Sequence, residues 1–170
     1  MACACCTPKI KMIYMCCGVA FGICAGAWYA VIFHMISSTT VAFISSIFAG
    51  IGVYIHLSYM KKRMITWSES KFKLMFWINL IPFVLCCAGI IGSCVYAGID
   101  HEGLTIDDLK DQENWWMTAC WFFIAAKWSG MSAYYIRGYS AAIKAMLLEQ
   151  MTQNHPEYQS EYQPEFIEKV

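Results

Sequence analysis

The chain has 170 residues, of which 59% are hydrophobic, 16% aromatic and only 14% charged. A soluble domain carries about 45–50% apolar and about 25% charged residues, and a single core of this size could not hide the excess. The formal net charge of zero excludes the concentrated basic field of a general nucleic-acid binder, so no nucleic-acid partner is expected.

Met12 to Ile36 carries no formally charged residue, and His34 near its end is the one group there that titrates close to neutral pH. A helix rises about 1.5 Å per residue, so about 20 residues cross a hydrocarbon core of about 30 Å. This run is too long for a secretory signal core, and no small-residue cleavage site follows it; it reads as a retained signal anchor. Val41 to Met60 comes after Ser37, Ser38, Thr39 and Thr40. Four residues cannot recross a bilayer, so the first two runs are expected to form an antiparallel hairpin. Leu74 to Ile99 is a third uncharged run, and Trp115 to Ile136 is a fourth, more aromatic and interrupted by Lys127. The sequence therefore predicts an all-α fold, a four-transmembrane helix bundle with cytosolic N and C termini. The membrane domain takes residues 1–152, with spans at about 12–36, 41–60, 74–99 and 115–136 and then a cytosolic helix through Ser140 to Thr152, and a flexible cytosolic tail takes 153–170.

Charge placement orients the bundle. Lys9 and Lys11 precede the first span, Lys61, Lys62, Arg63, Lys71 and Lys73 fill the second connection, and Arg137 and Lys144 follow the fourth. These segments alternate onto one side, which the positive-inside rule makes cytosolic. The connection from Asp100 to Asn114 is acidic, as an outer loop should be. Within it Thr105 can cap a short helix over Ile106 to Glu113, otherwise an ordinary solvated segment. Its acidic residues fit no calcium-loop spacing.

The first and third spans share a pattern: Cys16, Cys17, Gly22 and Cys24 recur as Cys86, Cys87, Gly92 and Cys94, each displaced by 70 positions. A duplicated hairpin would produce such an echo, and so would a cysteine- and glycine-rich apolar background. Small residues at every fourth position mark packing faces: Gly18, Gly22 and Gly26 in the first span, Ala42, Ser46 and Gly50 in the second, Gly89 and Ser93 in the third. In lipid, close backbone approach has to supply the attraction between helices, within the bundle or to a second copy or another membrane protein.

Of the ten cysteines none falls in an outer connection, so an extracellular disulfide is not available. Cys3, Cys5 and Cys6 precede the first span and are candidates for palmitoylation, with metal binding and free thiols as the other uses. Lys127 stands near mid-bilayer with no Asp or Glu in the first three spans to pair with. Such a lysine snorkels, contacts a partner, or lines a transport path. His34 and His56 stand at opposite membrane levels and read as satisfied polar residues. No Gly-rich phosphate loop, zinc-protease motif or Ser/His/Asp set appears, so neither an enzyme nor a bound cofactor is expected, and no repeated polar stripe marks a pore. The tail holds Tyr158 and Tyr162 and ends in Glu168-Lys169-Val170, a pattern that a cytosolic adaptor domain can take up as an added strand.

Cys3-Ala4-Cys5-Cys6, the basic Lys61-Lys62-Arg63 connector and four spans with a cytosolic tail together resemble the small tetraspan proteins of animals, including lysosomal and invertebrate types. Tetraspanins proper carry their Cys-Cys-Gly motif in a large outer loop, whereas Cys16-Cys17-Gly18 opens a span; claudin-like chains have a long first outer loop, which is missing. The resemblance implies trafficking, membrane organisation or assembly with a larger complex in the plasma or endolysosomal membrane. The leading expectation is accordingly a non-enzymatic adaptor or accessory subunit, and the alternative is a small transporter or channel-forming oligomer.

Overall fold

The computed structural model describes residues 8–100, 103 and 113–154. Cys3, Cys5 and Cys6, nearly all of the acidic connection with its short helix, and the tail from residue 155 lie outside this range. The described chain is all-α. Four long helices follow one another: α1 (Pro8–Trp28), α2 (Ile36–Met60), α3 (Glu69–Ile99) and α4 (Trp115–Asn154). A π-helical turn, Tyr29–Phe33, extends α1, and a 3-10 turn, Arg63–Thr66, precedes α3.

Three of these, α1 with its π turn, α2 and α3, are long and apolar enough to cross a membrane. With the relatives described below, they make this a multi-pass membrane protein. α4 is longer still, but its serines, Lys127 and Arg137 reduce its hydropathy. It nevertheless runs the full height of α2. Ser38 meets Thr118 at one end, and Tyr59 stacks on Tyr139 at the other with ring centroids 3.8 Å apart. The first of these ends carries the α1–α2 reversal and is called here the turn end. The other carries Lys9, Lys61, Lys62, Arg63 and Lys144 and is called the basic end.

The reversal between α1 and α2 is tighter than the sequence predicts. It takes place at His34 and Met35, with His34 in the left-handed region at φ 52°, and Ser37 to Thr40 form the first turn of α2. Two features favour helix over turn there. Thr40 donates to the Ile36 carbonyl (2.8 Å), and the Glu113 carboxylate accepts from the amides of Ile36 (2.6 Å) and Ser37 (3.2 Å). An anion on the free amides of a helix start is favoured both as hydrogen-bond acceptor and by the helix dipole. Glu113, expected to be solvated, is thus a structural cap. At the other connection Ser68 caps α3 by accepting from Lys71 N (3.3 Å), so α3 begins ahead of the apolar run that opens at Leu74.

The helices pack as two hairpins, α1 on α2 and α3 on α4, joined through α2 and α4. Ala42, Cys86, Trp121 and Ala125 form the core towards the turn end, Met15, Ala49 and Trp128 the middle, and Ile55, Met64, Ile136 and Ile143 the basic end. Gly18 lies against the Trp128 ring, Gly22 against Ser46 and the Ala42 carbonyl, Gly26 against Phe43, and Gly89 against Phe122; Ser93 is buried. Gly50 differs from these, because a Cβ built there meets nothing within 4 Å. Gly92 is likewise open, so the positions matched at 70 residues do not occupy equivalent places. Gly89, not Gly92, does for α3 what Gly22 does for α1.

Gly22→Leu should therefore drive α1 from α2 and cost about 1–3 kcal/mol, lowering the unfolding temperature in detergent. Gly50→Ala should leave it unchanged or raise it, since alanine in an unobstructed helix gains about 0.5–1 kcal/mol over glycine. Equal losses in the two variants would contradict this packing.

Candidate functional site

A polar seam runs between α2 and α4. Both helices present a seven-residue repeat to it: Ser38, Ser45, Gly52 and Tyr59 on α2, Thr118, Ala125, Ser132 and Tyr139 on α4. The two helices run in the same direction, and facing residues are 80 positions apart, as in Ser38–Thr118. A Cβ on Gly52 would come within 2.9 Å of Ser132 Oγ, so the backbones approach closely there. Neither helix reads as polar along its sequence, because each contributes one narrow strip. Their meeting makes the stripe that the sequence does not disclose.

Three serines along the seam are satisfied within their own helix. Ser45 and Ser46 donate to the Ala42 carbonyl at 2.8 and 3.2 Å, and Ser129 donates to the Ala125 carbonyl at 2.9 Å. Among the described residues, hydrogen bonds cross the seam near each end: Ser38–Thr118 (3.1 Å) and His56 Nδ1–Tyr139 OH (2.6 Å). Asn114 steadies the turn end by capping α4, its Oδ1 accepting from Met117 N at 3.1 Å.

His56 is the centre of the basic half. Its side chain is fully buried, and its ring lies 4.7 Å from that of Tyr135 and 5.6 Å from that of Tyr139. The other ring nitrogen, Nε2, is buried without a hydrogen-bond partner, as are Ser132 Oγ and Trp128 Nε1. Nearly all buried polar atoms in proteins find partners, so an imidazole nitrogen left without one in the interior is open to a further partner. This corrects the reading of His56 as a satisfied residue. Lys11 Nζ lies 4.7 Å from the Tyr135 ring centroid, which brings a cation beside the same cluster. At the basic end lies a cavity of about 530 Å³, lined by Lys9 and Lys62 and by Tyr59, Met60, Met64 and Met146.

Lys127 has a partner that the sequence does not announce. Its ammonium donates to the Tyr14 hydroxyl of α1 and lies 5.1 and 5.2 Å from the ring centroids of Tyr14 and Trp128. An exposed lysine thus finds a phenol and two aromatic faces, a cation–π arrangement that substitutes for an acidic partner. The described cysteines are all free thiols, and no cluster of His, Cys, Asp or Glu among the described residues could hold a metal ion by itself.

A family profile described as haem-transporter, endosomal/lysosomal, haem-responsive gene matches residues 72–128, most of α3 and the start of α4. Heme transporter hrg-1 of Caenorhabditis elegans is 32% identical over 142 residues, covering 81% of this chain and 73% of that protein. The chain belongs to this haem-responsive family. Two further relatives from the same organism are heme transporter hrg-6, 29% identical over 90% of this chain and 91% of its own length, and heme transporter hrg-4, 29% identical over 79% and 81%. No solved structure matches. The tetraspan resemblance is thereby corrected to a specific family whose description places it in endosomal and lysosomal membranes. These relatives are named as transporters, not enzymes. They support the transporter alternative and give none to the adaptor or accessory-subunit reading.

The Glu113 cap joins the two hairpins at the turn end of this family member. Glu113→Ala should cost about 1–2 kcal/mol, the scale of a lost N-cap, read as a lower unfolding temperature with helicity otherwise intact.

Proposed function

We propose that the chain carries haem through the membrane along the α2–α4 seam, with His56 as the iron ligand on the way. The buried, unpartnered Nε2 of His56 is the observation that carries this reading. Haem is a flat aromatic ring with iron at its centre and two carboxylates on one edge; proteins hold its iron by histidine, methionine or tyrosine side chains, among others. With Nδ1–H donating to Tyr139, Nε2 keeps its lone pair for iron, the tautomer control usual at metal-ligating histidines. Tyr135 and Tyr59 supply aromatic faces beside it. In the cavity beyond, Lys9 and Lys62 suit the carboxylates and the methionines suit the ring and its iron.

The seam suits passage because several of its hydroxyls bond within their own helix. Ser45, Ser46 and Ser129 keep their hydrogen bonds when α2 and α4 separate, since those bonds run within one helix. Ser38–Thr118 closes the turn end and His56–Tyr139 the basic end, so loosening them in turn would expose the seam to each side of the membrane alternately. In this reading all four long helices cross the bilayer. By the positive-inside rule the basic end faces the cytosol in this reading.

Purified chain reconstituted in vesicles and supplied with haem tests the proposal. His56→Leu should alter the absorption spectrum of the bound haem and reduce flux at least tenfold. Unaltered spectra and flux would refute the assignment of His56. Lys9→Gln with Lys62→Gln should raise the half-saturating haem concentration about tenfold while leaving the iron spectrum as it was, because the lost contacts are to carboxylates rather than to iron.

A further inference from the structure

On the opposite side of α4 from the seam, α3 and α4 enclose a groove with two joined parts. The part at the basic end, about 390 Å³, is bordered by Lys73, Arg137 and Lys144. The part that continues towards mid-height, about 480 Å³, is walled by Phe76, Leu80, Phe83 and Tyr134 and bordered by Lys127, whose ammonium donates to Tyr14 of α1. Phe76 and Arg137 line both. Gly130 lets Phe83 lie close against α4, since a Cβ there would stand 2.9 Å from the ring.

The charges stand where a headgroup would. Lys73 directly precedes the apolar run that starts at Leu74, and Arg137 directly follows the one that ends at Ile136. Glu69 lies between Lys144 (3.4 Å) and Lys73 (3.6 Å), and all three side chains are more than half exposed. Exposed pairs of this kind are weak and exchange readily for another anion. Arg137 has no hydrogen bond or ion pair among the described residues. Three cations against one carboxylate leave a formal charge of +2 above an apolar trough.

We propose that this groove binds an anionic phospholipid, its phosphate held by Arg137, Lys73 and Lys144 and one acyl chain laid along Phe76, Leu80 and Phe83. Basic pockets between membrane helices at the cytosolic face are suited to acidic headgroups, and a planar guanidinium pairs with phosphate oxygens in bidentate fashion. The groove's cations cluster at its basic end, and the walls below are apolar apart from Lys127, whose ammonium is engaged by Tyr14; this is the polarity of a phospholipid. The site is separate from the proposed haem path and does not rest on it.

Native mass spectrometry of the full chain in mild detergent, titrated with phosphatidylserine or phosphatidylcholine, provides the test. Phosphatidylserine should be retained in preference, and Arg137→Gln should weaken its apparent affinity about fivefold, the effect of one near-surface cation, without altering that for phosphatidylcholine. Glu69→Gln should strengthen it, a gain that mere loss of fold cannot produce, and it reports even if Arg137→Gln fails to fold. Lys61→Gln, an exposed cation outside the groove, should leave it unchanged. Equal retention of the two lipids, weaker retention in Glu69→Gln, or a loss in Lys61→Gln equal to that in Arg137→Gln would each overturn the proposal. Displacement of phosphatidylserine by haem, lost together with Arg137, would assign the groove to cargo and overturn it as well.

Discussion

The contact between α2 and α4 depends on close fit between small side chains. Small side chains on a seven-residue repeat provide that fit, with Gly52 facing Ser132 and Ser38 facing Thr118. Because both helices carry the repeat in the same direction, the match holds over their whole common length. Each hairpin then contributes its second helix to the centre and its first to the outside. The rest of the architecture follows from that seam.

The same fit limits how strongly the seam is tied. A serine in a helix can donate to a carbonyl one turn back, which removes the cost of burying its hydroxyl but ties nothing to the facing helix. Ser45, Ser46 and Ser129 all do this. The result is a polar interior held together by packing and by hydrogen bonds towards its two ends. His56 stands out against this background because one of its nitrogens is satisfied by Tyr139 and the other is not.

Aromatic side chains take the place of acids around the cations. Lys127 rests on Tyr14 and Trp128, Lys11 on Tyr135, and Lys71 lies 4.3 Å from the Trp67 ring centroid. An aromatic face attracts an ammonium at a lower desolvation cost than a buried carboxylate demands, since the ring brings no charge of its own to be buried. This is how a chain with few acidic residues in its apolar runs accommodates a lysine well inside one of them.

Much of this was legible in the sequence, because it depends on sums along the chain. The all-α class, the apolar runs, the clustering of cations at one end and the packing role of Gly18, Gly22, Gly26 and Gly89 follow from composition and period. The first turn was misplaced, since the Glu113 carboxylate that lets α2 begin at Ile36 comes from the far side of the chain. For the same reason Lys127 looked unpartnered while Tyr14, 113 positions away, awaited it. The seam was invisible because each helix contributes a strip too narrow to read as polar by itself. The sequence by itself determined what must be buried in lipid, since burial depends on the apolar content of a segment. Which polar atoms meet, and that His56 Nε2 meets none, was decided by tertiary structure, because hydrogen bonds are settled by the register between helices and not by either helix alone.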